Sequence, residues 1–156
     1  MTTAEQALVY QKAARYCSYQ ERTIQEVRNK LHALGVSSTE DEAQLIHALQ
    51  EARFLDEARY AAAFVRGKFF HKKWGKCKIS AALRQKDLDP ACIDAALAII
   101  ADEDYQTTIV SLAQQKKQQL LNTDGRQAHR KMMNYLLQKG YEPDRVREVV
   151  QALLTQ

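Results

Sequence analysis

Apolar residues recur at i, i+3 and i+4 in three separate stretches of this 156-residue chain: Leu45/Ala48/Leu49, Ile93/Ala96/Leu97 and Val146/Val149/Val150. That spacing lays one apolar stripe along a helix. The surrounding residues repeat as well. "LRQKDLDPACIDAAL" (83–97) aligns without a gap with "LLQKGYEPDRVREVV" (136–150), pairing Gln85-Lys86 with Gln138-Lys139 and Pro90 with Pro143. "LHALGVSSTEDEAQLIHAL" (31–49) follows the same scheme with four extra residues, so the chain repeats with a period of about 50.

Helix boundaries follow from local chemistry. Thr23 with Glu26 and Thr39 with Glu42 have the spacing of a capping box, and Asp89 and Glu142 each precede a proline suited to a first helical turn. Gly35 and Gly140 are placed to end helices in a left-handed residue, with Asp87 at the matching position of the middle unit. A further amphipathic stretch opens each unit, at 5–17, 57–71 and 103–121. The predicted fold is all-α, an elongated array of three tandem three-helix repeats at 1–51, 52–101 and 102–156. A three-helix unit cannot hide its apolar face alone, so neighbours are expected to pack. The competing architecture is one compact helical bundle with coincidental repeats.

Composition agrees: five Gly and two Pro leave a chain rich in helix formers. No apolar run approaches the roughly 20 residues that cross a bilayer. "MTTAEQALVYQKAARY" lacks a signal-peptide core, so a cytoplasmic protein with reduced, buried or half-buried thiols is expected. Cys17, Cys77 and Cys92 form no CxxC pair and no metal pattern with His32, His47, His71 or His129.

Charge changes the picture. The net charge is +4, yet from Arg59 to Lys86 there are nine Lys/Arg and no Asp or Glu. The remainder carries 14 basic residues against 19 acidic ones, or −5. "RGKFFHKKWGKCK" (66–78) concentrates six cations with Phe69, Phe70 and Trp74. Such segregation points to a polyanionic partner, and the candidate contact residues are Arg66, Lys68, Lys72, Lys73, Trp74, Lys76 and Lys78. Trp74, in a loop beside Gly75, suits either stacking on bases or packing, whereas Phe69 suits the seam between the first and middle helices of its repeat. Phe64 and Val65 read as core. Arg59 has Asp56 three residues before it, so a local pair suits it equally with a partner contact, and Arg84 has Asp87 three after in the same way. No Gly-rich phosphate loop, nucleophile elbow or HExxH cluster is present, so neither catalysis nor a cofactor is expected.

Three motifs in order resemble the RecX family. "TIQEVRNKLHALG" (23–35) is similar to its Ser/Thr-x-x-Glu-hydrophobic-x-x-Lys-Leu pattern. "ARFLDEARYAAAFVRGKF" (52–69) resembles its Leu-Asp-Asp/Glu-x-Arg-Tyr/Phe-Ala signature. "WGKCKISAALRQKDLD" (74–89) looks like the segment that follows, with Asp87 in place of the usual glycine. The third unit matches only through its repeat pattern. The resemblance implies a binding-type regulator of the RecA recombinase, lying along the groove of the RecA filament on single-stranded DNA. It would restrain growth, ATP hydrolysis and strand exchange there. The alternatives are a helical module that binds nucleic acid directly and an adaptor that uses apolar edges of the array. Nothing demands more than a monomer.

Overall fold

The computed structural model describes residues 1–155, and among them it contains helices and no strands. The first three helices are α1 (Thr3–Tyr19), α2 (Ile24–Ala33) and α3 (Thr39–Glu51); the next are α4 (Glu57–Arg66), α5 (Lys76–Gln85) and α6 (Pro90–Leu97). The last are α7 (Asp102–Gln119), α8 (Gly125–Lys139) and α9 (Pro143–Leu154).

Their ends obey the expected chemistry with one shift. Thr23 and Glu26 form a reciprocal capping box on α2. At α3 the cap is Ser38 instead of Thr39: Ser38 is extended, and its hydroxyl accepts from the Asp41 amide at 3.3 Å. Glu42 is drawn away to Arg28 and His32, at 3.0 and 2.8 Å. Gly35 and Gly140 are left-handed, with φ of +96° and +102°, and Asp87 reaches the same region at +63°. Asp56 caps α4 by accepting from the Arg59 amide.

The helices bury two separate cores. Val9, Ala13, Cys17, Val27, Leu31 and Leu49 belong to the first, and Leu55, beyond α3, is buried with them. The second runs unbroken from Ala61 in α4 to Leu153 in α9. The expectation that neighbours pack is met most fully by α4–α9, which fuse, whereas α1–α3 gather a core of their own that is completed by Leu55 of the following segment. The chain exposes 9603 Å², against about 8,000 Å² for a compact monomer of 17.8 kDa. That excess fits an elongated array.

Main-chain contacts weld the fused part. The Gly75 amide donates to the Lys139 carbonyl at 2.7 Å and the Cys77 amide to the Gly140 carbonyl at 2.9 Å. Tyr105 and Tyr141 are buried beside them with ring centroids 5.1 Å apart. The Tyr105 hydroxyl accepts from the Lys76 amide at 2.9 Å and donates to Glu142. Burial first, then the bond to Glu142, pushes the Tyr105 phenol well above its ordinary range; burial does the same to Tyr141.

The junction with α1–α3 is polar and thin. Arg59 meets both Glu21 oxygens, at 2.7 and 2.8 Å, and the Ile24 amide donates to Glu57 at 3.0 Å. Tyr10 and Phe54 add an edge-on aromatic contact at 6.4 Å. The expected local pairing of Arg59 with Asp56 is thus replaced by a long-range pair, because Asp56 is committed to its cap. Arg84 likewise reaches Ser80, at 2.9 Å, and not Asp87.

Candidate functional site

The basic segment begins where α4 loosens. Gly67–His71 form a single π turn, a widened stretch often found at functional positions. The chain then turns sharply through Lys73, whose φ of +62° is left-handed. Such a conformation costs a non-glycine residue about 1–2 kcal/mol. Two bonds hold it: the Lys73 amide donates to the Phe69 carbonyl at 3.0 Å, and the Tyr141 hydroxyl donates to the Lys73 carbonyl at 2.8 Å. The third repeat thereby fixes the loop of the second.

This turn sets cations and rings in a row. Lys86 Nζ lies 6.0 Å and Lys68 Nζ 5.4 Å from the Phe64 ring centre. Trp74, half-buried, has Lys68 Nζ at 4.6 Å and Lys78 Nζ at 4.3 Å. Trp74 and Lys78 then share a cleft of 210 Å³ with Tyr135, Gln138 and Lys139, and Lys116 Nζ stands 5.1 Å from the Tyr135 ring. Among the described residues none of these lysines pairs with a carboxylate. A ring face holds an ammonium by about 0.5–1 kcal/mol at exposed sites without neutralising it. The row therefore presents pre-positioned positive charge over aromatic rings, the combination of groups that grips phosphates and bases.

Not every expected residue joins it. Lys76 turns to the Tyr105 ring, 4.8 Å away, which also carries Arg145 at 4.9 Å. Lys73 ends on the Phe70 carbonyl at 3.0 Å. Arg66 and Lys72 are exposed, and Lys139 Nζ donates to the Lys72 carbonyl at 3.1 Å. Phe69 is buried, tilted against Tyr105 at 5.8 Å, so it fills the seam between repeats and not only that within its own. Phe64, expected in the core, is half-buried under its two lysines; Val65 is fully buried. Cys77 is exposed, unlike the expectation for the thiols, while Cys17 is buried and Cys92 intermediate.

Lys86, Lys116, Tyr135 and Lys139 lie outside the expected set. The repeat alignment holds a signal for two of them, since Lys139 matches Lys86 and both stand in the row. Among the described residues no cluster of His, Cys, Asp and Glu is placed to hold a metal ion, and no helix is long and apolar enough to cross a membrane.

Family comparisons match the three repeats one by one. Family models for the first, second and third three-helix domains of RecX match residues 10–40, 56–97 and 102–150. The chain belongs to the RecX family. A protein named regulatory protein RecX from Lactobacillus delbrueckii subsp. bulgaricus is 32% identical over 146 residues, covering 91% of this chain and 52% of its own length. Its counterpart from Clostridium botulinum (strain Eklund 17B / Type B) is 34% identical over 131 residues, covering 83% and 60%. The chain thus spans about half to three-fifths of those RecX relatives. The crystal structure of RecX from Lactobacillus salivarius superposes with a TM-score of 0.89 at 26% identity, covering 97% of this chain and 98% of that one. The tandem three-helix RecX architecture is therefore shared along the described chain.

Proposed function

We propose that this RecX-family chain regulates the RecA recombinase by binding along the groove of the RecA–single-stranded DNA filament. There it restrains filament growth, ATP hydrolysis and strand exchange, acting in the cytoplasm as a monomer and without chemistry of its own. The observation that carries this reading is the unneutralised row of lysines and rings that crosses the seam between the second and third repeats. A polyanionic fibre is the partner such a row suits, since each phosphate it meets releases counterions. Arg66 and Lys72 extend the contact, and repeat boundaries at 51/52 and 101/102 serve as its working divisions. ATP turnover by RecA on single-stranded DNA, measured as the chain is titrated in, should fall. A Lys68→Glu/Lys78→Glu/Lys139→Glu variant should need far more protein for the same effect. Turnover unchanged at saturating protein overturns the proposal.

A second reading, direct nucleic-acid binding, is favoured by the cleft beside Trp74, which is open to a base. A gel-shift titration across salt, with and without RecA, separates the two. Binding to naked DNA that outcompetes filament binding supports the second.

A further inference from the structure

The first repeat carries a cleft that the row in the second and third repeats does not use. On α1, Lys12, Arg15, Tyr16 and Tyr19 fall at i, i+3, i+4 and i+7, so they share one stripe. Val9, Ala13 and Cys17, buried in the core, take the adjoining face. With Arg22, Lys30 and Leu34 this stripe lines a cleft of 300 Å³ whose walls are almost wholly apolar. A smaller cleft of 230 Å³, lined by Leu8, Gln11, Lys12 and Arg15, continues it along the helix.

Charge and shape together restrict what fits. Four cations line the main cleft and no carboxylate does. Among the described residues Lys12, Arg15 and Lys30 have no carboxylate partner; Arg22 has Glu26 at 3.9 Å, Glu26 also accepts from the Thr23 amide, and Glu21 is engaged by Arg59. Arg22 is fixed: its guanidinium stacks on Tyr16 at 3.7 Å and its Nε donates to the Tyr16 carbonyl at 3.0 Å. Lys30 Nζ stands 5.3 Å from the same ring. Tyr19, by contrast, is 85% exposed, and among the described residues neither face of its ring is stacked on another ring or cation. Leaving a large ring in water costs hydrophobic free energy that packing would recover. A flat apolar group with an adjoining anion satisfies both features, the bare ring and the unpaired cations. A peptide offering carboxylates alone, such as polyglutamate, would satisfy only the second.

We infer that α1 and the start of α2 form a separate binding track for single-stranded nucleic acid. In it a base stacks on Tyr19 while flanking phosphates meet Lys12, Arg15 and Lys30. The track sits on the body with its own core, so the chain holds a strand at two places joined by the Glu21–Arg59 junction. It stands independently of the recombinase reading and needs no RecA to test.

The test uses the full chain, a fluorescent oligo(dT) and an abasic strand of equal length, with anisotropy followed across salt. Lys12→Glu/Arg15→Glu should weaken binding to both strands and lower the slope of log affinity against log salt by about 0.7 for each lost phosphate contact. Tyr19→Ala should weaken oligo(dT) about 5-fold or more, in line with the loss of one stacked base. It should leave the abasic strand and the salt slope unchanged. Because Tyr19 is exposed, this substitution leaves the fold intact, and circular dichroism checks that. Lys78→Glu/Lys139→Glu, in the seam row, should not remove the sensitivity to Tyr19→Ala. Equal effects of Tyr19→Ala on both strands, or no effect of reversing Lys12 and Arg15, overturn the inference. So does displacement of the strand by polyglutamate at equal charge, or by a free nucleoside 5′-phosphate at low concentration.

Discussion

Gly75 lies so close to Gly140 that a Cβ on the first would stand 2.3 Å from the carbonyl carbon of the second. Real Cβ atoms do not approach backbone so closely, so the two glycines are what let the second and third repeats exchange main-chain hydrogen bonds. Gly75→Ala should therefore destabilise the fused body by about 3 kcal/mol or more, the range of severe overpacking. Its φ of −77° would suit alanine, so the effect is steric and not conformational. Thermal unfolding measures it. Gly125→Ala, at a position with open space around it, serves as the control and should be near neutral.

The alkaline limb offers a second test. Tyr105 and Tyr141 are buried, and both phenols are held protonated beyond the ordinary value of about 10. With folded values above the unfolded ones, their contribution to stability is fully present below pH ~10 and is lost as pH rises past it. Ultraviolet titration of phenolate should show a late component that coincides with unfolding of the fused body. Tyr105→Phe and Tyr141→Phe should each diminish that component. A single early titration of all the tyrosines would contradict the packing described.

Much of this architecture was legible before any coordinates. Ile93, Ala96 and Leu97 place α6 because a helix buried on one face must return an apolar residue every three or four positions. Gly35, Asp87 and Gly140 mark helix ends because a left-handed residue is needed there. Periodicity says nothing, however, about which repeats share a core. The fusion depends on two glycines 65 positions apart meeting in space, and nothing local at Gly75 announces Gly140. Arg59 shows the same limit: its near neighbour Asp56 was spent on capping α4, and only the fold brings Glu21 within reach. The row was half-visible for the same reason. Its lysines in the second repeat stand in one dense run, while Lys116, Tyr135 and Lys139 are dispersed through the third.

The junction between the two bodies should be weak. Arg59 and Glu21 are each partly exposed, so their pair is screened, and a double-mutant cycle with Arg59→Ala and Glu21→Ala should give a coupling of about 0.5 kcal/mol that shrinks with salt. Hydrogen exchange should then show α1–α3 opening apart from α4–α9, with Leu31 and Leu136 amides belonging to different cooperative units. One common unit would argue against two cores.

Trp74 is the only tryptophan, and its ring has the Lys68 and Lys78 ammonium groups 4.6 and 4.3 Å from its centre. Its fluorescence is therefore a direct reporter on the seam row. Adding single-stranded DNA or a RecA filament should change its intensity, and Lys78→Ala should alter the starting signal by removing one of the two ammonium groups. Emission indifferent to every polyanion would place binding elsewhere on the chain.

The weld at Gly75 has a mechanical meaning. With the second and third repeats locked through their main chains, the filament binding proposed above would have to place any adjustment to helical pitch at one joint, near Glu21. On that picture the second and third repeats form one welded bar and the first repeat is joined to it only through the Glu21–Arg59 junction and its neighbours. The spacing between its two ends would be tuned by one angle, not spread over a flexible rod.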